Sequence, residues 1–345
     1  MLLDFENDSI EEVIIKLKKS SNAAKEYISS SIRFLMDWNS AKPLFKVMSS
    51  GTTGKAKELE FDRSSLEQSA LISINTFTLK PGDILFHALP LSFIAGKMML
   101  VRAIIGKMKL YIVEPSANPL ENLSTQIDFA AFTPHQLQSI ISNSPEKLNL
   151  ITTIIIGGSK LDLLLEKKLQ AFDCKVYETF GMSETLTHFA VRKLKKTSEN
   201  LSFEVLDGFD WGINEESCLW VSAAHLPHSP IQTNDLIEVI DKLHFIWLGR
   251  KDNVINSGGI KVYPETIERK FLPFISVPFI ITKQKDEQLG EKVVLLIEEK
   301  NRGSIDFQKL DFSMLTKYER PREIKYINRF PLNKNGKINR SLLNG

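Results

Sequence analysis

The chain has 345 residues, of which 43% are hydrophobic and 25% charged, a balance typical of a soluble globular protein with room for one large and one smaller domain. Its 44 lysines and arginines against 42 acidic residues give a formal charge of +2, which makes no general case for a nucleic-acid partner or an anionic membrane. Cys174 and Cys218 form no metal spacing and favour reduced thiols, and charged residues interrupt the most apolar window, residues 89–105. Because the N-terminus also lacks a secretory signal pattern, we expect a cytoplasmic protein without membrane insertion.

The first forty residues predict two helices. Ser9 with Glu12 resembles a capping box, and apolar residues then recur at helical spacing from Ile10 to Leu17. A second helix is predicted over residues 23–38. Its expected buried face consists of Ile28, Ile32, Leu35 and Met36.

A turn suited to holding phosphate follows the helices. Gly51 and Gly54 allow backbone amides to converge on an anion, and hydroxyls and lysines supply further donors. These donors are Ser49, Ser50, Thr52, Thr53, Lys55 and Lys57. A Walker-type loop is excluded because only two residues separate the glycines and Ala56 occupies the hydroxyl position. Apolar runs on both sides predict that the loop joins two strands, and a hairpin loop without a ligand is the alternative.

Short apolar strands then alternate with helices. The predicted strands are 84–88, 109–113, 129–132, 152–156 and 175–177, and the clearest helices are 134–142 and 162–172. This alternation predicts an α/β fold with mostly parallel sheets covered by helices, whose ligands collect at the carboxyl ends of the strands. Two such ends stand out, the loop Gly157-Gly158-Ser159-Lys160 and the segment from Tyr177 to Thr185, although either alone fits a tight connection.

Six segments resemble, in order, the motifs of the adenylate-forming superfamily, which includes acyl-CoA synthetases and firefly luciferase. They are residues 49–57, 177–185, 233–235, 248–252, 257–265 and 331–337. The resemblance runs from about residue 45 to the end, with Asn234 in place of a usual glycine. The family's N-terminal lobe is shortened here to roughly forty residues of helix.

The resemblance implies a set of nucleotide contacts. The loop from Ser49 to Lys57 is expected to hold the β- and γ-phosphates of ATP, and Tyr177 to lie against adenine. Asp235 and Arg250 are expected to hold the ribose, and Glu184 to bind Mg²⁺ with Ser183 and Thr185 as neighbouring hydroxyls.

It also implies two domains and a catalytic lysine. Residues 1–251 are expected to form the AMP-binding and acyl-substrate domain, and residues 252–345 a small mobile α+β lid that rotates about Asp252. Gly258 and Gly259 are then expected beside CoA. Lys337 is expected to bridge the carboxylate and the α-phosphate, the alternative being a solvated lysine in a polar tail. Strands at 277–281 and 292–297 and a helix at 307–315 are predicted for the lid.

Residues 89–102 resemble the acyl-pocket motif, and in detail that of the 2-succinylbenzoate–CoA ligases of menaquinone biosynthesis. Phe93 stands where that family often has histidine, which replaces a polar wall with an aromatic one. Lys97 or Arg102 is expected to meet the second carboxylate of such a substrate, although both fit surface charges of an amphipathic helix. His135, in the loop after the predicted strand 129–132, is expected to complete the pocket, although it equally fits a helix start. The remaining expected pocket residues are Gly157, Gly158 and Ser159.

The resemblance implies an ATP-dependent acid–CoA ligase that adenylates 2-succinylbenzoate, releases pyrophosphate and transfers the acyl group to CoA. ATP, Mg²⁺, CoA and a small carboxylic acid are its expected ligands, and a monomer or homodimer its expected state. Three alternatives stay open: a CoA ligase for another aryl or short-chain acid, a carrier-protein-loading adenylation domain, and a non-catalytic adenylate- or CoA-binding homologue. His87, His188 and His225 have no paired carboxylate at a telling spacing, so no catalytic role is expected for them.

Overall fold

The computed structural model describes residues 1–20, 25–40, 42–48, 58–161, 163–194, 201–305, 310–331 and 338–343. The phosphate loop at residues 49–57 and Lys337 lie outside this part of the chain, so their assignments stay predictions. No helix within the described residues is long and apolar enough to cross a bilayer.

The N-terminal region contains strand β1 (Leu2–Asp4) and helices α1 (Ile10–Lys19) and α2 (Glu26–Asn39). The predicted capping box is confirmed, since the Glu12 amide donates to Ser9 Oγ and the Ser9 amide to the Glu12 carboxylate. The predicted face of α2 is wrong at Met36, which is 50% exposed. Phe34 and Trp38 are buried instead, because their rings pack on Phe45, 5.7 and 5.2 Å away between centroids.

Strands β2 (Leu44–Met48) and β3 (Glu58–Asp62) form an antiparallel hairpin. This confirms that the predicted phosphate loop joins two strands. Helix α3 (Arg63–Thr76) begins directly after the hairpin, and the side chain of Asp62 caps it by accepting the Ser65 amide at 2.7 Å.

Five parallel strands form the centre of the main sheet in the order β5-β4-β6-β7-β8. They are β4 (Ile84–His87), β5 (Lys109–Ile112), β6 (Ile127–Phe132), β7 (Ile151–Ile156) and β8 (Lys175–Gly181). Helices α4 (Ile94–Ile105), α5 (Pro134–Asn143) and α6 (Leu163–Leu169) connect them. One buried cluster packs α3 and α4 on one face, and a second packs α5 and α6 on the other. The predicted α/β fold with helices on both faces is confirmed.

The same sheet continues as an antiparallel half in the order β8-β9-β10-β14-β13-β12-β11. Within the described residues the whole sheet has twelve strands. The added strands are β9 (His188–Lys193), β10 (Ser202–Val205), β11 (Asp210–Ile213), β12 (Cys218–Ser222), β13 (Ile231–Val239) and β14 (His244–Arg250). These strands were not predicted, because polar and charged residues interrupt their apolar runs.

The C-terminal residues form a separate five-stranded sheet with its own apolar core. It contains β15 (Ile255–Ser257), β16 (Ile260–Val262), helix α7 (Pro264–Phe271), β17 (Phe279–Asp286), β18 (Gly290–Glu298) and β19 (Glu323–Ile327). The predicted helix over residues 307–315 is wrong in its described part, residues 310–315, which is a series of turns. There the Asp311 carboxylate accepts the Ser313 amide at 2.8 Å, a local bond that competes with helix formation.

Candidate active site

The expected pocket residues follow four neighbouring parallel strands. Phe93 comes after β4, His135 after β6, residues 157–159 after β7, and Ser183 with Glu184 after β8. Because β4, β6, β7 and β8 are parallel and adjacent, their carboxyl ends lie along one edge of the sheet. The structure therefore brings these predicted residues to one side of the protein. His135 is exposed in the first turn of α5, as its helix-start alternative expects.

A short 3₁₀ turn, Ser183–Thr185, presents the residue expected to bind Mg²⁺. Ser183 and Glu184 are half-buried, and the Glu184 carboxylate has no side-chain partner among the described residues. No group of three metal-ligating side chains occurs in that part of the chain. One free carboxylate fits Mg²⁺ that takes its other oxygens from phosphate and water.

Thr185, expected as a hydroxyl next to Glu184, is bonded within its own turn. Thr185 is fully buried, with 0% of its surface exposed. Its hydroxyl accepts the Met182 amide at 3.0 Å and donates to the Thr187 carbonyl at 2.6 Å. The place of Thr185 beside the nucleotide stays a prediction. The turn passes close to Gly181. A Cβ there would lie 2.1 Å from the Thr187 carbonyl oxygen, so only glycine fits.

Tyr177, expected beside adenine, lies within β8 and packs against aromatic rings. Its ring centroid is 5.3 Å from that of Phe77, and burial raises the pKa of its hydroxyl. Lys193 Nζ lies 6.0 Å from the same ring. Phe180, closer to the carboxyl end of β8, packs edge-on against Phe189 and other rings. The adenine contact of Tyr177 stays a prediction.

The residues expected to hold the ribose are brought together. Asp235 on β13 stands opposite Arg250 on β14, with 3.7 Å between Arg250 Nη1 and the Asp235 carboxylate. The Trp247 indole donates to Asp235 Oδ1 at 2.9 Å. Burial raises the pKa of Asp235, while the Trp247 hydrogen bond and the Arg250 charge oppose that rise. The predicted hinge residue Asp252 accepts a hydrogen bond from Arg250 Nη2 at 3.2 Å.

The two cations of the acyl-pocket helix α4, Lys97 and Arg102, differ in how deeply they are buried. Lys97 is half-buried, and desolvation lowers its pKa. Arg102 is only 2% exposed, and desolvation lowers its pKa to about 10, so its guanidinium stays charged at neutral pH. Its Nη2 donates to Ser73 Oγ at 3.1 Å, and its Nε has no partner among the described residues. The surface-charge alternative is therefore wrong for Arg102.

One buried histidine, His188, lies near this arginine. His188, at the start of β9, has a pKa lowered to about 3 by burial and by the charge of Arg102. Its ring packs 5.6 Å from Phe77, and Phe77 packs 5.2 Å from Phe129. Arg102 lies 6.0 Å above the Phe129 ring. In the described residues no carboxylate pairs with Arg102, so a buried positive charge faces neutral and aromatic groups.

Comparison with known proteins identifies the family. The model of the AMP-binding enzyme family matches residues 5–203. The chain belongs to this family.

Named relatives agree with that membership. A 2-succinylbenzoate–CoA ligase of Lactococcus lactis is 25% identical over 381 residues, which cover 98% of this chain and 82% of that protein. The corresponding ligase of Bacillus pumilus is also 25% identical, over an aligned region that covers 85% of this chain and 67% of that protein. The family and these relatives identify the chain as an AMP-forming acid–CoA ligase.

Solved structures share the fold. An acyl-CoA synthetase (AMP-forming)/AMP-acid ligase II-like protein of Dyadobacter fermentans is 30% identical with a TM-score of 0.66, over 99% of this chain and 98% of that one. That protein therefore has a comparable length. The o-succinylbenzoate–CoA synthetase of Bacillus subtilis, solved with ATP and magnesium, has a TM-score of 0.72 over 97% and 82% of the two chains. At 18% identity this second likeness shows the fold alone.

A buried ionic network supports the loop after β7 in this family member. Arg192 on β9 donates to Glu178 on β8 through Nε at 2.8 Å, and to Glu166 on α6 through Nη1 and Nη2 at 3.1 and 2.8 Å. Glu178 also accepts the Leu161 amide at 3.1 Å. This network was not predicted, although Glu178 on β8 stands directly opposite Arg192 on β9.

Contacts between the C-terminal sheet and the main sheet were also missed. Lys160, at the end of the loop after β7, lies 5.5 Å from the Trp247 ring and donates to the Glu265 carbonyl at 3.2 Å. Gly258 and Gly259, expected beside CoA, lie in the turn between β15 and β16. A side chain at Gly258 would meet Tyr318 of the same C-terminal unit.

Proposed function

We propose that this ligase joins 2-succinylbenzoate to CoA at the expense of ATP. Relatives named 2-succinylbenzoate–CoA ligases support the substrate, and one of them matches 98% of this chain. The observation that carries the proposal is the buried charge of Arg102 on α4, which no carboxylate pairs among the described residues.

A buried arginine without an acidic partner is costly, because its charge loses water and gains no counter-charge. A substrate with two carboxylates supplies the missing charge, since one carboxylate reacts while the other pairs with the guanidinium. Arg102 suits this role better than Lys97, because a planar guanidinium binds a carboxylate through two parallel hydrogen bonds. The aromatic rings of Phe77 and Phe129 beside it suit an aryl acid.

In the first step of the proposed reaction, an oxygen of the free carboxylate attacks the α-phosphorus of ATP. A new bond joins that oxygen to phosphorus, the bond to the bridging oxygen breaks, and pyrophosphate leaves with the electron pair. In the second step the CoA sulfur attacks the acyl carbon, its proton passes to solvent, and AMP leaves. Both steps bring anions together, so neutralisation of charge and positioning dominate catalysis.

The residues take the following parts. Lys337 bridges the reacting carboxylate and the α-phosphate, and the loop from Ser49 to Lys57 holds the outer phosphates. Asp235 accepts hydrogen bonds from the ribose hydroxyls, and Trp247 and Arg250 orient its carboxylate. Glu184 would hold Mg²⁺, which supplies positive charge to the phosphates. Tyr177 packs near adenine.

Residues 1–251 form the AMP-binding unit in this proposal, and residues 252–345 form a lid that turns about Asp252. The separate core of the C-terminal sheet supports two units. Rotation brings Gly258 and Gly259 beside CoA after adenylation. Cys174 and Cys218 form no disulfide within the described part of the chain, and we place the enzyme in the cytoplasm.

Replacing Arg102 with methionine tests the substrate assignment. Pyrophosphate release with 2-succinylbenzoate should fall about a hundredfold or more, because the second carboxylate loses its buried partner. Release with benzoate should change little, and thermal stability should hold or rise because an unpaired charge leaves the core. The matched control is Lys97→Met, which removes a half-buried cation from the same helix.

An equal loss with both acids would contradict the role of Arg102 in substrate selection. A larger loss in Lys97→Met than in Arg102→Met would move the second-carboxylate contact to Lys97. The lysine of the C-terminal loop is tested separately: Lys337→Ala should abolish pyrophosphate release and largely spare thioester formation from supplied acyl-adenylate. Equal loss in both steps would refute its role in adenylation.

A further inference from the structure

Lys160 connects the loop after β7 to the C-terminal unit. Its ammonium donates to the Glu265 carbonyl of α7 at 3.2 Å and lies 5.5 Å from the Trp247 ring centroid. The residue stays exposed to solvent, yet its ammonium is crowded enough for desolvation to lower its pKa. The charges that act on it belong to α7 and to the segment after the catalytic loop: Glu265, Glu268, Arg269 and Arg340.

Trp247 contacts three parts of the protein at once. Its indole N–H donates to Asp235, the proposed ribose ligand, at 2.9 Å. Its ring face receives the Lys160 ammonium, in a cation–π geometry. Its carbonyl accepts a hydrogen bond from Arg269 Nη2 of α7 at 3.3 Å. One residue therefore joins the ribose carboxylate, the loop after β7 and the C-terminal unit.

The backbone between Trp247 and α7 is shaped to accept this arrangement. Gly249 has a φ of +152°, and a Cβ there would lie 2.3 Å from Glu265 Oε2. Glu265 is 4% exposed and accepts a hydrogen bond from Asn253 next to the proposed hinge. The start of α7 is thus packed directly against the end of β14.

We propose that Lys160 and Trp247 are positioning residues that hold α7 against Asp235 and the loop after β7, in the orientation used for adenylate formation. This rests on the proposed function. Two observations favour that orientation over the one for thioester formation. Arg340, three residues after Lys337, donates through Nη2 to the Glu268 carboxylate of α7 at 2.5 and 2.6 Å, so the segment after the catalytic loop is attached to the helix that Lys160 contacts. The turn at Gly258, expected at CoA, packs on Tyr318 and Leu289 of its own unit.

The two residues act differently, which separates their effects. Lys160 ties α7 to the loop, so its loss should release the C-terminal unit and slow adenylation. Trp247 also orients Asp235, so loss of its indole N–H should weaken ATP binding. Charged hydrogen bonds and cation–π contacts of this kind correspond to rate or affinity changes of about three- to thirtyfold.

The test combines hydrogen exchange with the two half-reactions. In Lys160→Met we expect backbone amides of residues 251–271 to exchange about three- to thirtyfold faster in the enzyme without ligands. Pyrophosphate release should slow by a similar factor with KM for ATP unchanged, and thioester formation from supplied acyl-adenylate should hold or rise. Trp247→Phe keeps a ring for Lys160 and should instead raise KM for ATP. Lys167→Met, which removes an exposed lysine from α6, is the matched control.

Unchanged exchange in Lys160→Met, or exchange equal to that of Lys167→Met, would overturn the proposal. A parallel loss of both half-reactions would overturn it as well, because it would indicate general damage. If the substrate assignment failed instead, the unaltered protein would release no pyrophosphate with 2-succinylbenzoate. The difference in hydrogen exchange would still be measured without any substrate, so the two failures are distinguishable.

Discussion

Replacing Arg192 with methionine should lower the free energy of unfolding by about 3–5 kcal/mol, the cost of removing one partner from a buried ionic group. Arg192 donates to Glu178 at 2.8 Å and to Glu166 at 3.1 and 2.8 Å. The side chains of Arg192, Glu166 and Glu178 are 5, 4 and 11% exposed. Methionine fills a similar volume, so the loss reflects the charge of two carboxylates left in the core. The Leu161 amide still reaches Glu178, which keeps the loss near the lower end of that range.

Urea unfolding followed by circular dichroism measures the effect. The triple variant Arg192→Met, Glu166→Gln, Glu178→Gln should recover much of the loss, because no unpaired charge remains buried. Arg33→Met provides the control, since it breaks an exposed pair with Glu26 and should cost far less. A loss below about 1 kcal/mol in Arg192→Met, or no recovery in the triple variant, would refute the reasoning.

Three further predictions concern charge at the site. Asp235→Asn should weaken ATP binding about ten- to a hundredfold, measured by calorimetry. It should also raise Tm at pH 7. Burial raises the pKa of Asp235, so the protein loses stability as pH rises and this buried carboxyl ionises; the gain from asparagine should therefore vanish in acid, where Asp235 is neutral. His87 has a pKa lowered to about 4 by burial, so the protein should lose up to about 3 kcal/mol as pH falls from 6.5 to 4, and His87→Leu should flatten that slope in urea unfolding. Glu184→Gln should raise the Mg²⁺ concentration that half-saturates pyrophosphate release at least about tenfold, whereas an unchanged value would remove Glu184 from the metal site.

The parallel half of the fold was predictable because its strands are short, apolar and separated by helices. That pattern placed β4 to β8 in the chain to within a few residues, except that β8 runs on to Gly181 through a segment interpreted as a loop. The same rule placed residues 157–159 and Glu184 at one edge of the sheet. Local chemistry also predicted the capping box of Ser9, which depends on neighbouring residues alone.

The rest depends on contacts between distant residues, which leave no local pattern. The hydrogen bonds of the Thr185 hydroxyl to the backbone of its own turn were not predictable from the motif. Trp247 and Lys160 are 87 positions apart in the chain and meet only because β14 returns beside the loop after β7. The burial of Arg102 likewise follows from the packing of α4 against α3 and β6, which its position in the sequence does not reveal.

The most direct test of the proposed function is pyrophosphate release by the unaltered protein with ATP and Mg²⁺, comparing 2-succinylbenzoate with benzoate, each with and without CoA. We expect release with the dicarboxylate to exceed release with benzoate by about a hundredfold, because only the dicarboxylate pairs with Arg102, and CoA should sustain turnover. Equal release with benzoate, or release only with another acid, would contradict the substrate assignment.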